Sequence, residues 1–477
     1  MAWDIVIGLE VHVELATKSK IFCGCSAAFG ADPNTQCCPV CIGMPGALPV
    51  LNEKVLEYAV KAGLGLGCEI QEFNQFDRKN YVYPDLPKAY QISQLYFPFC
   101  LNGAVEITLE DGSKKTIGVR GIHMEEDAGK LTHLAHGTQT LLDYNRGCVP
   151  LIEIVSNPDM TNAHEVLAYL EHVKKTLEYL EVSDCQMQEG SMRADINLSV
   201  KPKGSSELGT RTEMKNLNSF RAIERAIAYE SERQIELIES GGTVAQETRR
   251  WDDNKGESFA MRSKVDAEDY RYFPEPDIPP IYLDAAYIEA LRDSMPEFAP
   301  ERARRFTAQF GLNTKDAGII TNSKIVAERF EQAAIKAKSP KEVASWVLGD
   351  MMYHMSNQSL SDKDLQIDPT AFANFADAIT DGKINRQAGK KVFEYLFDGG
   401  QDIEGYIAKE GLAQVNDDGI IMETVEKILA ENEKAVVEYR DGKEKAFGFL
   451  VGQVMRELKG KGNPASINQI LKEKLSQ

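Results

Sequence analysis

A proline-rich break at residues 275–281, EPDIPPI, separates two stretches of the chain that differ in hydrophobic periodicity. Before the break, short runs alternate apolar and polar residues, which is typical of strands with one buried face. After it, residues 285–477 are rich in Ala, Lys and Glu, and their apolar residues recur at helical spacing. The chain therefore has to fold as a strand-rich part followed by a helical part.

The first part predicts an α+β domain with a mixed or antiparallel sheet. Besides the opening stretch DIVIGLEVHVEL (4–15), three segments are expected to form strands: VPLIEIV (149–155), RADINLSV (193–200) and SFAMRS (258–263). Residues 163–180 and 219–242 each carry an apolar stripe and are expected to be helices, the second ending at Gly241-Gly242.

At 477 residues the chain is too long for one core, and we expect three domains. These are a strand-rich domain over residues 1–290, a helical domain over 291–407 and a small helical tail over 408–477. The segment FDGGQDIEGYIAKEGL (397–412) is interpreted as the hinge before the tail.

Charge and hydropathy exclude several classes of protein. The net charge of −19 argues against broad, non-specific binding of nucleic acid. The chain has neither a run of about 18 apolar residues nor a secretory signal, so we expect a cytoplasmic protein. Residues 440–474 nevertheless hold eight basic against four acidic residues. This local excess predicts contact with RNA phosphates, with a solvated helical face as the alternative.

Four cysteines form two close pairs, Cys23 and Cys25 as C-x-C and Cys38 and Cys41 as C-x-x-C, with twelve residues between the pairs. Zinc takes four thiolates in a closed tetrahedron, so this spacing predicts a structural rather than a catalytic zinc site. The alternative is a set of reduced core cysteines. Cys37 adjoins the second pair and leaves its register open.

A second set of residues combines carboxylates with an imidazole. In the opening strand, Glu10, His12 and Glu14 share the face opposite the apolar one. Further acids occupy strand-like segments, at Glu125, Glu126 and Asp127 beside His123, at Glu153 within an apolar run, and at Asp195. Such a set suits Mg²⁺ or Mn²⁺. The alternative is several solvated strand faces, with Glu153 on a sheet edge.

The segment FDRKNYVYPDLPKAYQISQ (76–94) interleaves cations, including Lys79 and Lys88, with tyrosines. This mixture is suited to phosphate or nucleotide contact, although a surface loop is equally compatible. The sequence contains no G-x-x-x-x-G-K-[ST] loop, no G-x-G-x-x-G turn after a strand and no G-x-S-x-G elbow. A nucleotide would therefore have to be held by other means.

Motifs in order along the whole chain resemble those of the B subunits of the aspartyl/glutamyl-tRNA amidotransferases. They are IGLEVHVEL, FDRKNYVYPDLPKAYQISQ, HMEEDAGK, DYNRGCVPLIEIVSNPD, EGSMRADINLSV, TEMKNLNSF, QETRRWD, DYRYFPEPDIPP and GFLVGQVM. The resemblance implies a cradle domain, then a helical domain, then a tRNA-binding helical tail. It also implies a heterotrimer in which the two partners are an amidase, known as the A subunit, and a small protein, known as the C subunit.

The implied activity is that of a glutamine-dependent carbon–nitrogen ligase. The B subunit would bind misacylated Glu-tRNA(Gln) or Asp-tRNA(Asn) and phosphorylate the side-chain carboxylate with ATP and Mg²⁺. Ammonia released from glutamine by the amidase would then displace the phosphate. Two alternatives are a non-catalytic, zinc-stabilised RNA-binding scaffold and a metal-dependent hydrolase.

The resemblance also implies roles for particular residues. Glu10, His12, Glu125 and Glu153 would hold magnesium and act in catalysis, and Asp195 would join them at the phosphates. Lys79 is expected to be catalytic. Lys79 and Lys88 are expected to contact phosphate or to line the ammonia path with Glu126. Structural zinc would occupy Cys23, Cys25, Cys38 and Cys41, and Glu14 receives no role.

Overall fold

The computed structural model describes residues 2–134, 139–263, 270–358, 360–415, 417–458 and 460–476. The chain divides into two compact units, Met1–Pro296 and Glu297–Gln477. Within the described ranges, every helix is either too short or too polar to cross a bilayer.

The first unit contains all the strands of the described chain. Their bounds are β1 Trp3–Glu14, β2 Glu69–Ile70, β3 Phe73–Asn74, β4 Asp77–Asn80, β5 Tyr90–Ser93, β6 Cys100–Thr108, β7 Lys114–Glu126, β8 Lys130–His133, β9 Thr140–Asp143, β10 Pro150–Ser156, β11 Met192–Pro202, β12 Thr212–Lys215, β13 Glu247–Asp252, β14 Glu257–Ser263, β15 Phe273–Pro274 and β16 Ile281–Tyr282.

Nine of these strands form one sheet in the order β14-β13-β12-β11-β1-β10-β7-β6-β2. The β12–β13 pair is parallel and the other pairs are antiparallel, so the sheet is mixed. Three smaller sheets, β15-β4-β5, β16-β3 and β8-β9, accompany it. The first strand of the chain thus lies in the middle of the large sheet, between β11 and β10.

The alternation in β1 is what places it there. Its odd positions from Ile7 to Val13 are buried, and its even positions Glu10, His12 and Glu14 are partly exposed. One face of the strand therefore faces the core, and the other carries the polar groups. Helices α2 and α3 pack against the sheet through β6 and β11. The polar face is left open for a site.

The helices of the first unit begin at side-chain caps. Asn162 accepts from the Glu165 amide at the start of α2, and Ser219 accepts from the Ala222 amide at the start of α3. Each cap satisfies a backbone donor that the helix itself leaves free. The bounds of these helices are α1 Glu53–Gly65, α2 Ala163–Tyr179, α3 Phe220–Glu239 and α4 Ala285–Asp293.

The second unit is helical in its described residues. Its helices are α5 Ala299–Phe310, α6 Thr314–Thr321, α7 Lys324–Ala334, α8 Pro340–Trp346, α9 Met352–Asn357, α10 Pro369–Thr380, α11 Arg386–Phe397, α12 Ile403–Lys409, α13 Asp418–Glu431, α14 Glu433–Arg440, α15 Glu444–Glu457 and α16 Pro464–Leu475. A π-helical turn, Val347–Met351, joins α8 to α9, and Asp362–Asp364 forms a 3-10 turn. Two hydrophobic cores hold this unit, one from Phe306 to Ile407 and one from Ile421 to Leu475.

These elements confirm the predicted α+β class with a helical second half, and also the three predicted strands and two predicted helices. The division into three domains stays a prediction. The expected limit at 290 falls inside α4, and the units separate after Pro296. The segment interpreted as a hinge contains α12, whose Ile403 and Ile407 are buried in the first helical core. The hinge stays a prediction, since the two helical cores end and begin at Ile407 and Ile421, within and just after this segment.

Candidate active site

The register of four neighbouring strands gathers the polar residues of the sheet. His12 in β1 lies opposite Glu153 in β10, and Glu153 lies opposite His123 in β7. On the other side of β1, Glu10 lies opposite Asp195 in β11. Residues directly opposite each other on adjacent strands point to the same face of a sheet. Segments far apart in sequence therefore place their side chains on one patch.

His12, Glu125 and Glu153 form the first group of this patch, which we call the triad. The Nε2 atom of His12 lies 3.7 Å from Glu125 Oε1 and 3.7 Å from Glu153 Oε2. One ligand atom from each residue lies within 4.8 Å of the others, which is close enough to share one cation. Two carboxylates and an imidazole are ligands that Mn²⁺ or Mg²⁺ can use. The residues thus fit a divalent ion.

The electrostatics keep Glu153 ionised although it lies inside the sheet. Burial by itself raises the pKa of Glu153, but His123, His12 and Lys79 outweigh it and hold that pKa well below its usual range. The Nε2 atom of His123 lies 2.7 Å from Glu153 Oε2. Because β10 has neighbours on both sides, the alternative that placed Glu153 on a sheet edge is wrong.

Glu10, Asp195 and Glu213 form a second group, which we call the trio, with ligand atoms also within 4.8 Å of one another. Lys215 contacts Asp195 and lies 3.2 Å from Glu213 Oε1. Burial opposes the charge of Lys215, but Asp195 and Glu213 raise its pKa. Lys215 offsets only one of the three carboxylates of the trio, so both groups keep a net negative charge and both fit a divalent ion. The residues expected to form one magnesium site are thus divided between two adjacent groups.

The two lysines expected to act together lie in different surroundings. Lys79 in β4 shares cavities with the triad, and its ammonium lies 5.1 Å from the centre of the Tyr270 ring. Lys88 instead pairs with Glu126, with 2.6 Å between Nζ and Oε2. Cys148 donates to the same carboxylate oxygen over 2.6 Å. Lys88 and Glu126 therefore form a separate ion pair outside the triad.

Glu14 has a buried partner and does not lie at a solvated strand end. Burial, together with the charge of Asp127, raises the pKa of Glu14 to about 8. Asp127 itself accepts from Arg193 over 2.7 Å. The polar face of β1 therefore continues from the trio through the triad to a third group of charges.

Three cavities open onto these groups. The largest, about 880 Å³, reaches Glu10 and His123 and has a floor that includes Val6 and Gly8. A second cavity of about 410 Å³ contains the triad together with Glu10 and Glu213. A third, of about 390 Å³, adjoins the triad on the side of Asp127 and Arg193. A ligand extended over the first two cavities would reach both acidic groups.

The largest cavity is suited to an anionic ligand with an apolar part. Arg120 and Arg211 line it, and neither forms an ion pair with a described residue. The exposed side chains of Tyr96 and Leu208 supply apolar surface. The buried Oδ1 atom of Asn197 has no hydrogen-bond partner within the described ranges. Cations and apolar surface thus face one space.

The four paired cysteines lie together in the loop before α1. Their sulfur atoms are all within 4.8 Å of one another. In a tetrahedral zinc site the sulfurs lie about 3.8 Å apart, as zinc–sulfur bonds of about 2.3 Å require. A hydrogen bond from Cys23, opposed by burial, lowers the pKa of Cys41 to about 5. The quartet therefore fits zinc, and Cys37 stands outside it, near Asn145.

Several residues of the site were not singled out in the sequence. Glu213 and Lys215 alternate with buried Thr212 and Met214, so the period of two in TEMK is the signal that could have indicated them. Tyr270 offers no such signal, because it precedes the two-residue strand β15 and reaches the site only through tertiary packing.

Comparison with known proteins gives matches over almost the whole chain. Residues 5–289 match the family described as the GatB/GatE catalytic domain, and residues 328–475 match the GatB domain. Three similar proteins are each named as the B subunit of an aspartyl/glutamyl-tRNA(Asn/Gln) amidotransferase. The protein of Lachnoclostridium phytofermentans is 55% identical, covering 100% of this chain and 99% of its own length. That of Caldicellulosiruptor bescii is 52% identical with 100% of both chains covered, and that of Carboxydothermus hydrogenoformans is 49% identical with 100% and 99% covered.

Proposed function

This chain belongs to the family of aspartyl/glutamyl-tRNA(Asn/Gln) amidotransferase B subunits, and from that premise we propose that it uses ATP to activate the side-chain carboxylate of a misacylated tRNA. The substrates are Glu-tRNA(Gln), Asp-tRNA(Asn) or both. The product is the corresponding amide, Gln-tRNA(Gln) or Asn-tRNA(Asn).

The chemistry explains why such a protein needs a cluster of charged groups. A carboxylate does not react with ammonia, because oxide would have to leave. A carboxylate oxygen therefore attacks the γ-phosphorus of ATP, and the bond to ADP breaks. Ammonia then adds to the acyl carbon, loses a proton and displaces inorganic phosphate. The protein contributes positioning and stabilisation of charge in the phosphoryl transfer.

The observation that carries the proposal is the triad beside the largest cavity. His12, Glu125 and Glu153 would hold Mg²⁺ or Mn²⁺, which when bound spreads the charge of the transferring phosphoryl group. Lys79 adds a fixed positive charge beside them. The nucleotide would lie in the cavity of about 880 Å³, with its phosphates toward His123 and Arg211 and its base toward Tyr96. A non-catalytic scaffold would need none of these groups.

Other parts of the chain have roles in the same proposal. The partners are the amidase, which releases ammonia from glutamine, and the small third protein of the heterotrimer. The pair of Lys88 and Glu126 would line the path of ammonia. The cysteine quartet would hold structural zinc, and the helical tail would contact the body of the tRNA.

The test is the release of ADP by the reconstituted complex as a function of misacylated tRNA. In Glu153→Gln the rate should fall by about a hundredfold or more, because a ligand of the cation and the charge beside His123 are both lost. Glutamine hydrolysis by the amidase should persist. Glu106→Gln, on the exposed part of β6, is the matched control and should release ADP like the unmodified chain.

Three outcomes would contradict the proposal. ADP release without any dependence on aminoacylated tRNA would favour a metal-dependent hydrolase. Tight tRNA binding with no ADP release at all would favour the scaffold. Unchanged ADP release in Glu153→Gln would remove the triad from the activation step.

A further inference from the structure

The ammonium of Lys79 lies beside two carboxylates without pairing with either. Lys79, Glu125 and Glu153 line the same two cavities. Yet Lys79 forms no hydrogen bond or ion pair with any described residue. Other cations next to the acidic groups, such as Lys215 and Arg193, are bound to a carboxylate. Something else must hold the Lys79 side chain in place.

Aromatic rings surround this ammonium instead. Its Nζ atom lies 5.1 Å from the centre of the Tyr270 ring and 5.9 Å from that of Tyr81. The two rings meet edge to face, with 5.8 Å between their centres. Tyr270 lines both smaller cavities, so its ring also forms part of the wall beside the triad. A ring face attracts a cation without neutralising it.

The position of Tyr270 is set by the strand that carries Lys79. In the next residues, Phe273 and Pro274 pair with Arg78 and Asp77 of β4. Arg78 binds the buried carboxylate of Glu275 through two hydrogen bonds of 2.7 and 2.8 Å. A bidentate hydrogen bond between a planar guanidinium and a planar carboxylate fixes their orientation as well as their distance.

The backbone between the anchor and the ring is also fixed. Arg271 has a φ of 45°, in the left-handed region that L-residues rarely adopt. Its carbonyl accepts a hydrogen bond of 2.8 Å from the side chain of Asn80, again in β4. The residues directly after the ring are therefore tied to the strand whose lysine it contacts, first at Arg271 and again at Phe273.

We propose that Tyr270 is a positioning residue for carboxylate activation: with Tyr81 it holds the Lys79 ammonium over the triad, unpaired, so that its charge is available to the transferring phosphoryl group. This inference rests on the proposed function and names a residue on which that function depends. A lysine bound to Glu125 or Glu153 would have to break an ion pair during the reaction. An ammonium held by rings is oriented in advance.

The test uses the assembled complex and three variants. Tyr270→Leu removes the ring, and Tyr270→Phe keeps the ring but removes its hydroxyl group. Tyr282→Leu removes another ring of the same connecting segment, one that is exposed and packs against Phe73, and serves as the matched control. Should Tyr270→Leu fail to assemble, Tyr270→Met removes the ring with a side chain of similar volume that is unbranched and adapts to the space.

Two readouts are compared. The first is the rate at which acetic anhydride modifies Lys79 without substrates, measured by peptide mass spectrometry between pH 8 and 11. In Tyr270→Leu this rate should rise about tenfold, as expected for the loss of a cation–π contact. The second is tRNA-dependent ADP release. Its kcat should fall about tenfold while the KM for ATP stays within about twofold. Tyr270→Phe should match the unmodified chain in both readouts, as should Tyr282→Leu.

The inference is overturned if Lys79 reacts at the same rate in Tyr270→Leu, or if Tyr270→Phe is as impaired as Tyr270→Leu. A change in the KM for ATP alone also overturns it, because that would indicate a binding contact. The labelling requires no turnover. Altered labelling in a complex whose unmodified form never releases ADP would therefore refute the proposed function and leave the contact between Tyr270 and Lys79 established.

Discussion

The buried Glu230 and the partly buried Glu153 of the first unit both have to keep a carboxylate charged away from bulk water, and they do so in different ways. Taking a carboxylate out of water is costly unless each oxygen finds donors. Glu230 in α3 accepts from Thr212, Arg233 and Gln234 within 2.9 Å, so its oxygens are satisfied by the protein. Glu153 is balanced by imidazoles, and its group remains open to a cavity. The two carboxylates therefore differ in whether a ligand can reach them: Glu153 adjoins a cavity, whereas the protein itself satisfies Glu230.

Glu230 provides a prediction about pH. Burial raises its pKa, but the hydrogen bonds from Arg233 and Gln234 prevail and lower it. Its stabilisation is therefore present above the unfolded pKa, about 4.3, and is lost as the pH falls toward the lowered value. Glu230→Gln should lower the free energy of unfolding by about 2 kcal/mol at pH 7. The difference should shrink below about pH 4, as measured from urea unfolding midpoints.

The exposed Glu232 on the same helix provides the control. Glu232→Gln makes the same chemical change without removing a buried acceptor, and its midpoint should stay close to that of the unmodified chain at both pH values. If the difference in unfolding midpoint between Glu230→Gln and the unmodified chain grew on acidification, this explanation of the Glu230 carboxylate would be contradicted.

At the scale of elements, the sequence predicted what alternation and spacing determine. The buried face of β1, the helices α2 and α3, and the proximity of the cysteine pairs all follow from local patterns. The register between strands does not, and it separates Glu10 from His12 by pairing one with Asp195 and the other with Glu153. Tyr270 likewise reaches Lys79 through the anchors at Arg78 and Asn80 of β4. Contacts between segments far apart in the chain produce no periodic pattern in the sequence, so they could not be predicted from it.

The cysteine loop gives a prediction about metal content. Because the four sulfurs are already close enough to surround one ion, the purified chain should contain one zinc per chain by elemental analysis. Cys38→Ser with Cys41→Ser should abolish the zinc, whereas Cys37→Ser should retain it. Zinc-free protein with all four thiols reduced would refute the assignment.

The same loop packs on the pair of Lys88 and Glu126. Gly43 has a φ of 70°, and a Cβ atom there would lie 2.3 Å from Lys88 Cγ. Gly46 has a φ of 84° and open space around the corresponding position. Alanine is strained at both sites, but only Gly43→Ala also displaces a buried ion pair. Gly43→Ala should therefore lower the free energy of unfolding by about 2 kcal/mol more than Gly46→Ala.

Thermal and urea unfolding of the two glycine variants measure this difference directly. Gly46→Ala serves as the control, because it carries the backbone strain without the contact. Equal destabilisation of the two variants would show that the cysteine loop does not support Lys88, and the link between the zinc site and the ion pair would then be lost.

For the whole molecule, the charge is distributed unevenly. The chain as a whole carries −19, yet α15 presents Lys445 and Arg456 on one exposed face, with the exposed ring of Phe449 between them. Lysines nearby, such as Lys443 and Lys474, are engaged with Glu438 and Glu426. Cations flanking an exposed ring are suited to phosphate contact and base stacking. On an acidic protein, such a patch would restrict contact with RNA to a defined place.

Replacing the exposed cations Arg440, Lys445 and Arg456 by glutamine should therefore weaken tRNA binding by about tenfold or more near physiological salt and leave ATP affinity unchanged. The plot of log affinity against log salt should become shallower by about 2, since each phosphate contact contributes a little less than one to that slope. Replacing Lys427, Lys443 and Lys474 removes the same charge from residues that are already ion-paired, and should have a much smaller effect. Filter binding at four salt concentrations distinguishes the two sets. Equal losses of tRNA affinity in the two triple variants would show that net charge, and not these exposed cations of the tail, attracts the tRNA.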